Sequence, residues 1–244
     1  MKRLRVMMTR REIVPEQLSG SVAVVLDVIL ATTTLVTIFE NGARRVYVAG
    51  SVEESERICS SLDSSSLLRG GEQGGFMVEG YDLGPFPEEY SPEVVSGRDV
   101  VFVTTNGTRA LAAASDADQV LVGSMRNAPA VAKYLDSLDG DAYLICAGSR
   151  GHFGFEDFAG AAEMISKMDL ENWTLGDSAL LALDFAERYG GDPVEAISRG
   201  RAGRWFSEDY AGTIRFAAEV GASKVVPELK DDALHLVERS GVKT

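Results

Sequence analysis

The run Val101-Phe102-Val103-Thr104-Thr105-Asn106-Gly107-Thr108-Arg109-Ala110-Leu111 predicts a buried strand that stops at two threonines, turns at Asn-Gly and opens a helix at Thr108. A strand handed over to a helix across a tight turn is half of a β-α-β unit. The same rhythm recurs on both sides of it. Short β-branched runs at 4–8, 22–27, 45–48, 100–104, 119–122 and 142–147 alternate with helix-like stretches at 31–40, 52–62, 108–114, 128–137 and 155–167. Near-continuous apolar strands separated by helices predict an α/β fold. We expect three layers, α/β/α, around a largely parallel or mixed sheet. From 174 to 220 the patterns are only helical, at 175–189, 193–199 and 210–220, and a short strand at 224–226 returns to the sheet. The expected organisation is an α/β core over 1–170 with a long loop at 70–92, and a mainly helical part over 171–244 packed on the same core.

The 244 residues carry a net charge of −13, with 45% hydrophobic and 25% charged residues, the composition of a globular protein. No basic stripe is available to meet a nucleic-acid backbone. No apolar run is long enough to span a bilayer, and Met1-Lys2-Arg3 leads into a strand-like segment and not a signal-peptide core. The expected location is the cytoplasm. Cys59 and Cys146 give neither a disulfide framework nor zinc spacing. The apolar run Ala179-Leu180-Leu181-Ala182-Leu183 suits either core or a contact in a homo-oligomer. The tract at 60–66 is most simply a polar connection.

In parallel sheets ligands sit beyond the carboxyl ends of the strands. The turn at 104–108 aims backbone N–H groups, hydroxyls and a helix start at one place, which suits a phosphate. An ordinary capped turn has the same sequence. The strand at 22–26 ends in Asp27, followed by Thr32-Thr33-Thr34. The strand at 142–146 ends in Ala147-Gly148-Ser149-Arg150, with Glu156-Asp157 close behind, and Glu72 and Asp82 come from the long loop. Each has an ordinary alternative: Asp27 as a helix cap, Glu156 and Asp157 as first-turn acids, Glu72 as a solvated side chain, the threonines as core filler. A protein this acidic repels anions at long range, so an anion site must carry local positive potential. Helix dipoles supply only about 0.3–1 kcal/mol each. A multiply charged ligand therefore implies a metal, and oxygen ligands without histidine or cysteine favour Mg2+. There is no Walker loop, no dinucleotide fingerprint and no second Asp two residues after Asp27.

These segments, in this order, resemble the 2-phosphosulfolactate phosphatase family. The elements that carry the likeness are residues 27–33, Gly71-Glu72, residues 80–87, residues 104–110, and Cys146-Ala147-Gly148 leading to Glu156-Asp157. The likeness is strong from 22 to 160 and looser beyond. It implies a Mg2+-dependent phosphoric monoester hydrolase that converts 2-phosphosulfolactate to sulfolactate and phosphate, in a route toward coenzyme M or sulfolactate. On this likeness Asp27, Glu72, Glu156 and Asp157 are the expected metal or water ligands. Asp27, Asn106, Glu156 and Asp157 are the expected catalytic residues. Thr104, Thr105, Gly107, Thr108 and Arg109, with Thr32, Thr33 and Arg150, are expected to bind the anionic phospho-metabolite. Leu30 stands where the family carries arginine, and Pro85-Phe86 where it carries Asn-Ser. Losing a charge-assisted bond costs about 1.5–3 kcal/mol. The alternatives are therefore a phosphatase for a less acidic ester, or a non-catalytic phospho-metabolite-binding protein. The nucleophile is open between water and Asp27.

Overall fold

The computed structural model describes residues 1–62 and 66–237, apart from the side chain of Ser207; part of the polar connection expected at 60–66 lies outside them. The strands are β1 (Lys2–Met7), β2 (Ser21–Leu26), β3 (Arg45–Ala49), β4 (Leu67–Gln73), β5 (Phe76–Met77), β6 (Asp99–Val103), β7 (Gln119–Gly123), β8 (Asp141–Cys146), β9 (Trp173–Leu175), β10 (Pro227–Lys230) and β11 (Ala233–Leu236). The helices are α1 (Pro15–Leu18), α2 (Ala31–Glu40), α3 (Val52–Ser61), α4 (Pro92–Val95), α5 (Gly107–Ala113), α6 (Ala128–Asp136), α7 (Phe155–Ile165), α8 (Asp177–Tyr189), α9 (Pro193–Ser198), α10 (Arg201–Asp209) and α11 (Ala211–Ala217).

The strands form one mixed sheet in the order β5-β4-β6-β3-β11-β10-β7-β2-β8-β1-β9. The set β7-β2-β8-β1-β9 is parallel, and so is β4-β6-β3. The hairpin β10-β11 joins them by antiparallel pairing on both sides. Three successive antiparallel joints reverse direction, so the two parallel sets run in opposite senses. The strand expected at 224–226 is therefore replaced by a hairpin a few residues later, which closes the seam between the sets.

Strand β2 explains the layering. Its six residues are all buried, because successive side chains enter opposite faces and both faces are covered. Val22, Val24 and Leu26 join a core with residues of α6, α7 and α8. Ala23 and Val25 join a second core with Leu35, Ile38 and Phe39 of α2 and Phe102 of β6. Helices on both faces make the three-layer α/β/α arrangement.

The segment at 70–92 is not a free loop throughout. Its first residues finish β4, turn, and return as β5. The rest is anchored by Tyr90, which is fully buried and donates its hydroxyl to the Gly84 carbonyl at 2.6 Å. Gly70 lacks a side chain because a Cβ there would run into that hydroxyl. The C-terminal helices share the first core: Ala179, Ala182, Ile197, Ile214 and Ala217 pack with Val24 and Leu26. Of the apolar run at 179–183, the alanines are core, whereas Leu180 and Leu181 stay about half exposed. Among the described residues no helix is long and apolar enough to cross a membrane.

Candidate active site

Although the two parallel sets run oppositely, their carboxyl ends meet. A Cβ on Gly107, after β6, would lie 3.0 Å from Ala31 Cβ and 3.5 Å from Asp27 Oδ2, after β2. A side chain at 107 would press on both turns, so glycine suits their close approach. The cavity at this junction, about 460 Å³, is lined by Asp27, Glu72, Thr104, Thr105, Asn106, Gly148, Arg150 and Glu156, among others. That volume suits one small ligand.

Asp27 is held in place by the turn that follows it. Its backbone N–H donates to Thr32 Oγ1 at 3.0 Å, and the Thr32 N–H donates to the Asp27 carbonyl at 2.9 Å. The Thr33 hydroxyl donates to the Val28 carbonyl at 2.8 Å. Thr32 and Thr33 are fully buried and do not line the cavity. The expectation that they bind the ligand is corrected: their hydroxyls are spent closing the turn, and the result is the placement of Asp27.

Asp157 is likewise turned inward. One carboxylate oxygen accepts the Val28 N–H at 2.9 Å and the other accepts the Gly148 N–H at 2.8 Å. It joins the ends of β2 and β8, and lies outside the cavity lining. Its neighbour Glu156 faces the cavity instead, since consecutive helical residues point about 100° apart. The structure thus separates the expected pair into a strut and a cavity carboxyl.

Glu72 accepts the Thr105 N–H at 2.6 Å, the Thr105 hydroxyl at 3.3 Å and the Gly75 N–H at 2.7 Å. It lines the cavity while holding the β4–β5 turn against the 104–106 turn. The helix begins one residue earlier than expected, at Gly107, with Asn106 as its N-cap; the Asn106 side chain makes no capping bond. Thr108 donates its hydroxyl to the Ala49 carbonyl at 3.1 Å, and Arg109 is exposed. Neither lines the cavity. Thr108 thus spends its hydroxyl within the fold, whereas the exposed Arg109 is near enough for its charge to act on Arg10, which in turn faces Asp27. Gly107 itself contributes through its close approach to Asp27.

The electrostatics set the chemistry. Burial pushes the Asp27 carboxyl up to about 8, with Glu156 and then Glu72 adding repulsion, while Arg10 and the Ala31 N–H pull it back. Glu156 is raised by burial, opposed by its own backbone N–H and by Arg201. Asp157 is raised by burial, Asp27 and Glu156, and the N–H groups of Val28 and Gly148 counter this. Buried carboxyls this close cannot all ionise without a cation or a shared proton.

Arg10, Arg201, Trp205 and Phe206 were not legible as site residues. Arg10 donates to the Ala147 carbonyl at 2.8 Å and its field reaches Asp27. Arg201, Trp205 and Phe206 come from α10 and line the cavity. The one sequence signal was the sharp division of α10 into charged and apolar faces. It sits 45 residues beyond Glu156, and only tertiary packing relates the two.

A divalent cation can be tested against this donor set. Among the described residues no three Asp, Glu, His or Cys side chains close on one point. A full protein cage, as for zinc, is therefore not built. Mg2+ needs less, since it keeps several waters and takes one or two carboxylates plus phosphate oxygens. Asp27 and Glu156, buried and mutually repelling in one cavity, fit that demand. Glu72 and Asp157 already accept two or more N–H or O–H bonds each.

Comparison with known proteins identifies the family. The family model described as 2-phosphosulpholactate phosphatase matches residues 7–232. A protein of Caldanaerobacter subterraneus named probable 2-phosphosulfolactate phosphatase is 33% identical over 210 residues, 85% of this chain and 87% of that protein. Proteins with the same name from Symbiobacterium thermophilum and Carboxydothermus hydrogenoformans are 33% and 36% identical, covering 91% and 88% of this chain and 97% and 90% of their own lengths. The chain belongs to the 2-phosphosulpholactate phosphatase family.

Proposed function

We propose that this cavity hydrolyses the phosphate monoester of a small 2-hydroxy acid with the help of Mg2+, the reaction named by the family being 2-phosphosulfolactate to sulfolactate and phosphate. The observation that carries the reading is the convergence of two buried carboxyls, Asp27 and Glu156, with the Thr105-Asn106 turn in one cavity.

Asp27 and Glu156 are the residues that would hold the ion. When bound, Mg2+ neutralises phosphoryl oxygens and lowers the pKa of water. The chain's own residues do the rest. The Asn106 amide and the Thr104 hydroxyl bind the phosphoryl oxygens, where charge builds in the transition state, while Thr105, whose N–H and hydroxyl both donate to Glu72, holds the turn in place. Arg150 and Arg201 supply positive charge at the cavity wall, opposing the protein's net charge of −13. Water attacks phosphorus in line as the bond to the ester oxygen breaks. The water's proton passes to a carboxylate of the Asp27–Glu156 pair and from it to the leaving alkoxide, giving the 2-hydroxy acid and restoring the carboxylate.

The test is release of inorganic phosphate from synthetic 2-phosphosulfolactate, with Mg2+ and with EDTA. Release with Mg2+ and its loss with EDTA support the reading. Phosphate release unaffected by EDTA contradicts the role given to Mg2+. Tight binding of the ester without any release contradicts hydrolysis and leaves a binding protein.

A further inference from the structure

We infer that the organic half of the substrate is apolar: the site takes the phosphate ester of a 2-hydroxy acid whose side group is aromatic or branched aliphatic, seated against Trp205, Phe206 and Pro85. This inference rests on the phosphatase reading above and specifies its substrate class.

The cavity lining divides by chemistry. Its polar groups include Asp27, Glu72, Thr104, Thr105, Asn106, Ser149 and Glu156, and its apolar ones are Ile29, Leu30, Ala31, Pro85, Phe102, Ala202, Trp205 and Phe206. Trp205 lines the cavity and is 55% exposed. The rings around it are already arranged as a platform. Phe86 stacks on Tyr210 with centroids 4.8 Å apart, Phe206 lies edge-on to Trp205 at 4.8 Å, and Phe206 is 5.6 Å from Tyr210. Apolar surface of this size beside an anion site marks a place where a ligand completes the burial. Indole and phenyl faces take another ring by offset or edge-on contact.

Charge points the same way. The lining has three acids, Asp27, Glu72 and Glu156, against two arginines, Arg150 and Arg201. Glu156 already faces the field of Arg201. Arg150 is exposed and remains for the substrate carboxylate. A lining with more acids than arginines favours an uncharged side group over a further permanent anion such as a sulfonate.

The test compares kcat/KM for phosphate release from the phosphate esters of 3-phenyllactate and sulfolactate. The phenyllactate ester is expected to be favoured threefold or more. Trp205→Ala is expected to cut that preference at least fivefold, and Trp205→Arg to turn it toward the sulfonate. Trp205 is exposed, so both variants should fold. A preference below threefold, or one unmoved by Trp205→Ala, overturns the inference and leaves the phosphatase reading standing. If neither ester releases phosphate, the phosphatase reading fails, and Trp205 fluorescence decides this one. Quenching by the phenyllactate ester at concentrations where the sulfolactate ester has no effect supports it; equal or absent quenching overturns it.

Discussion

The Glu72 carboxylate accepts the backbone N–H of Thr105 at 2.6 Å, and through it strand β4 fixes the turn proposed to bind phosphate. The same carboxylate accepts from Gly75, so the β4–β5 turn and the 104–106 turn move as one piece. A charge-assisted bond of this kind is worth about 1.5–3 kcal/mol. Glu72→Ala should therefore lower kcat by roughly 10–100-fold and speed amide exchange at Thr105 and Gly75. Unchanged exchange at Thr105 would mean that the turn is held by other contacts.

Asn106 caps α5 without a side-chain bond, so its amide is available to a ligand. Removing one donor to a developing phosphoryl charge costs about 10²–10³ in kcat. Asn106→Ala should show that loss with a melting temperature close to wild type. A variant within twofold of wild type would take this turn out of the chemistry.

Asp157 offers an acceptor to both Val28 and Gly148. In Asp157→Asn one of those two N–H groups would face an amide NH2, leaving a buried donor unpaired at about 1–3 kcal/mol. At about 2–4 °C per kcal/mol for a chain of this size, the melting temperature should drop by several degrees. Exchange protection should fall at Val28 or Gly148 first. Loss of activity with full thermal stability would make Asp157 a participant in the reaction and not a strut.

Far from the cavity, Asp99 at the start of β6 is bonded by Arg44 at 2.8 Å and Arg45 at 3.1 Å. The Arg44 bond, with Arg45 assisting, holds its carboxyl below the ordinary range. A depressed acid contributes stability above its unfolded pKa of about 3.9, and the contribution is lost as pH falls through the lower folded value. Denaturant melts below pH 4 should show an acid limb that is shallower in Asp99→Asn. Identical limbs would mean that the exposed arginines are too well screened to matter.

How much of this was legible in the sequence depends on the distance over which the information is stored. The strands at 22–26, 100–103 and 142–146 are short apolar runs between helical periodicities, and their carboxyl ends carry Asp27, Thr104–Asn106 and Gly148–Arg150 into the cavity as expected. What sequence could not give was direction within a shared neighbourhood. Thr32 and Thr33 look like ligand hydroxyls until their bonds to the Asp27 turn are seen. Glu156 and Asp157 look alike until one helical step separates cavity from strut. The hairpin at 227–236 reads only as a short return strand, because antiparallel seam pairing is a property of its neighbours and not of its own residues. Helix α10 is placed over the site by packing alone.

The central claim is that Asp27 lies at the chemistry, where the ends of two oppositely running strand sets meet. Its most direct test is Mg2+-dependent phosphate release by Asp27→Asn, an isosteric change. The account predicts a fall of at least a thousandfold, with the fold intact by circular dichroism. Activity within tenfold of wild type would contradict it.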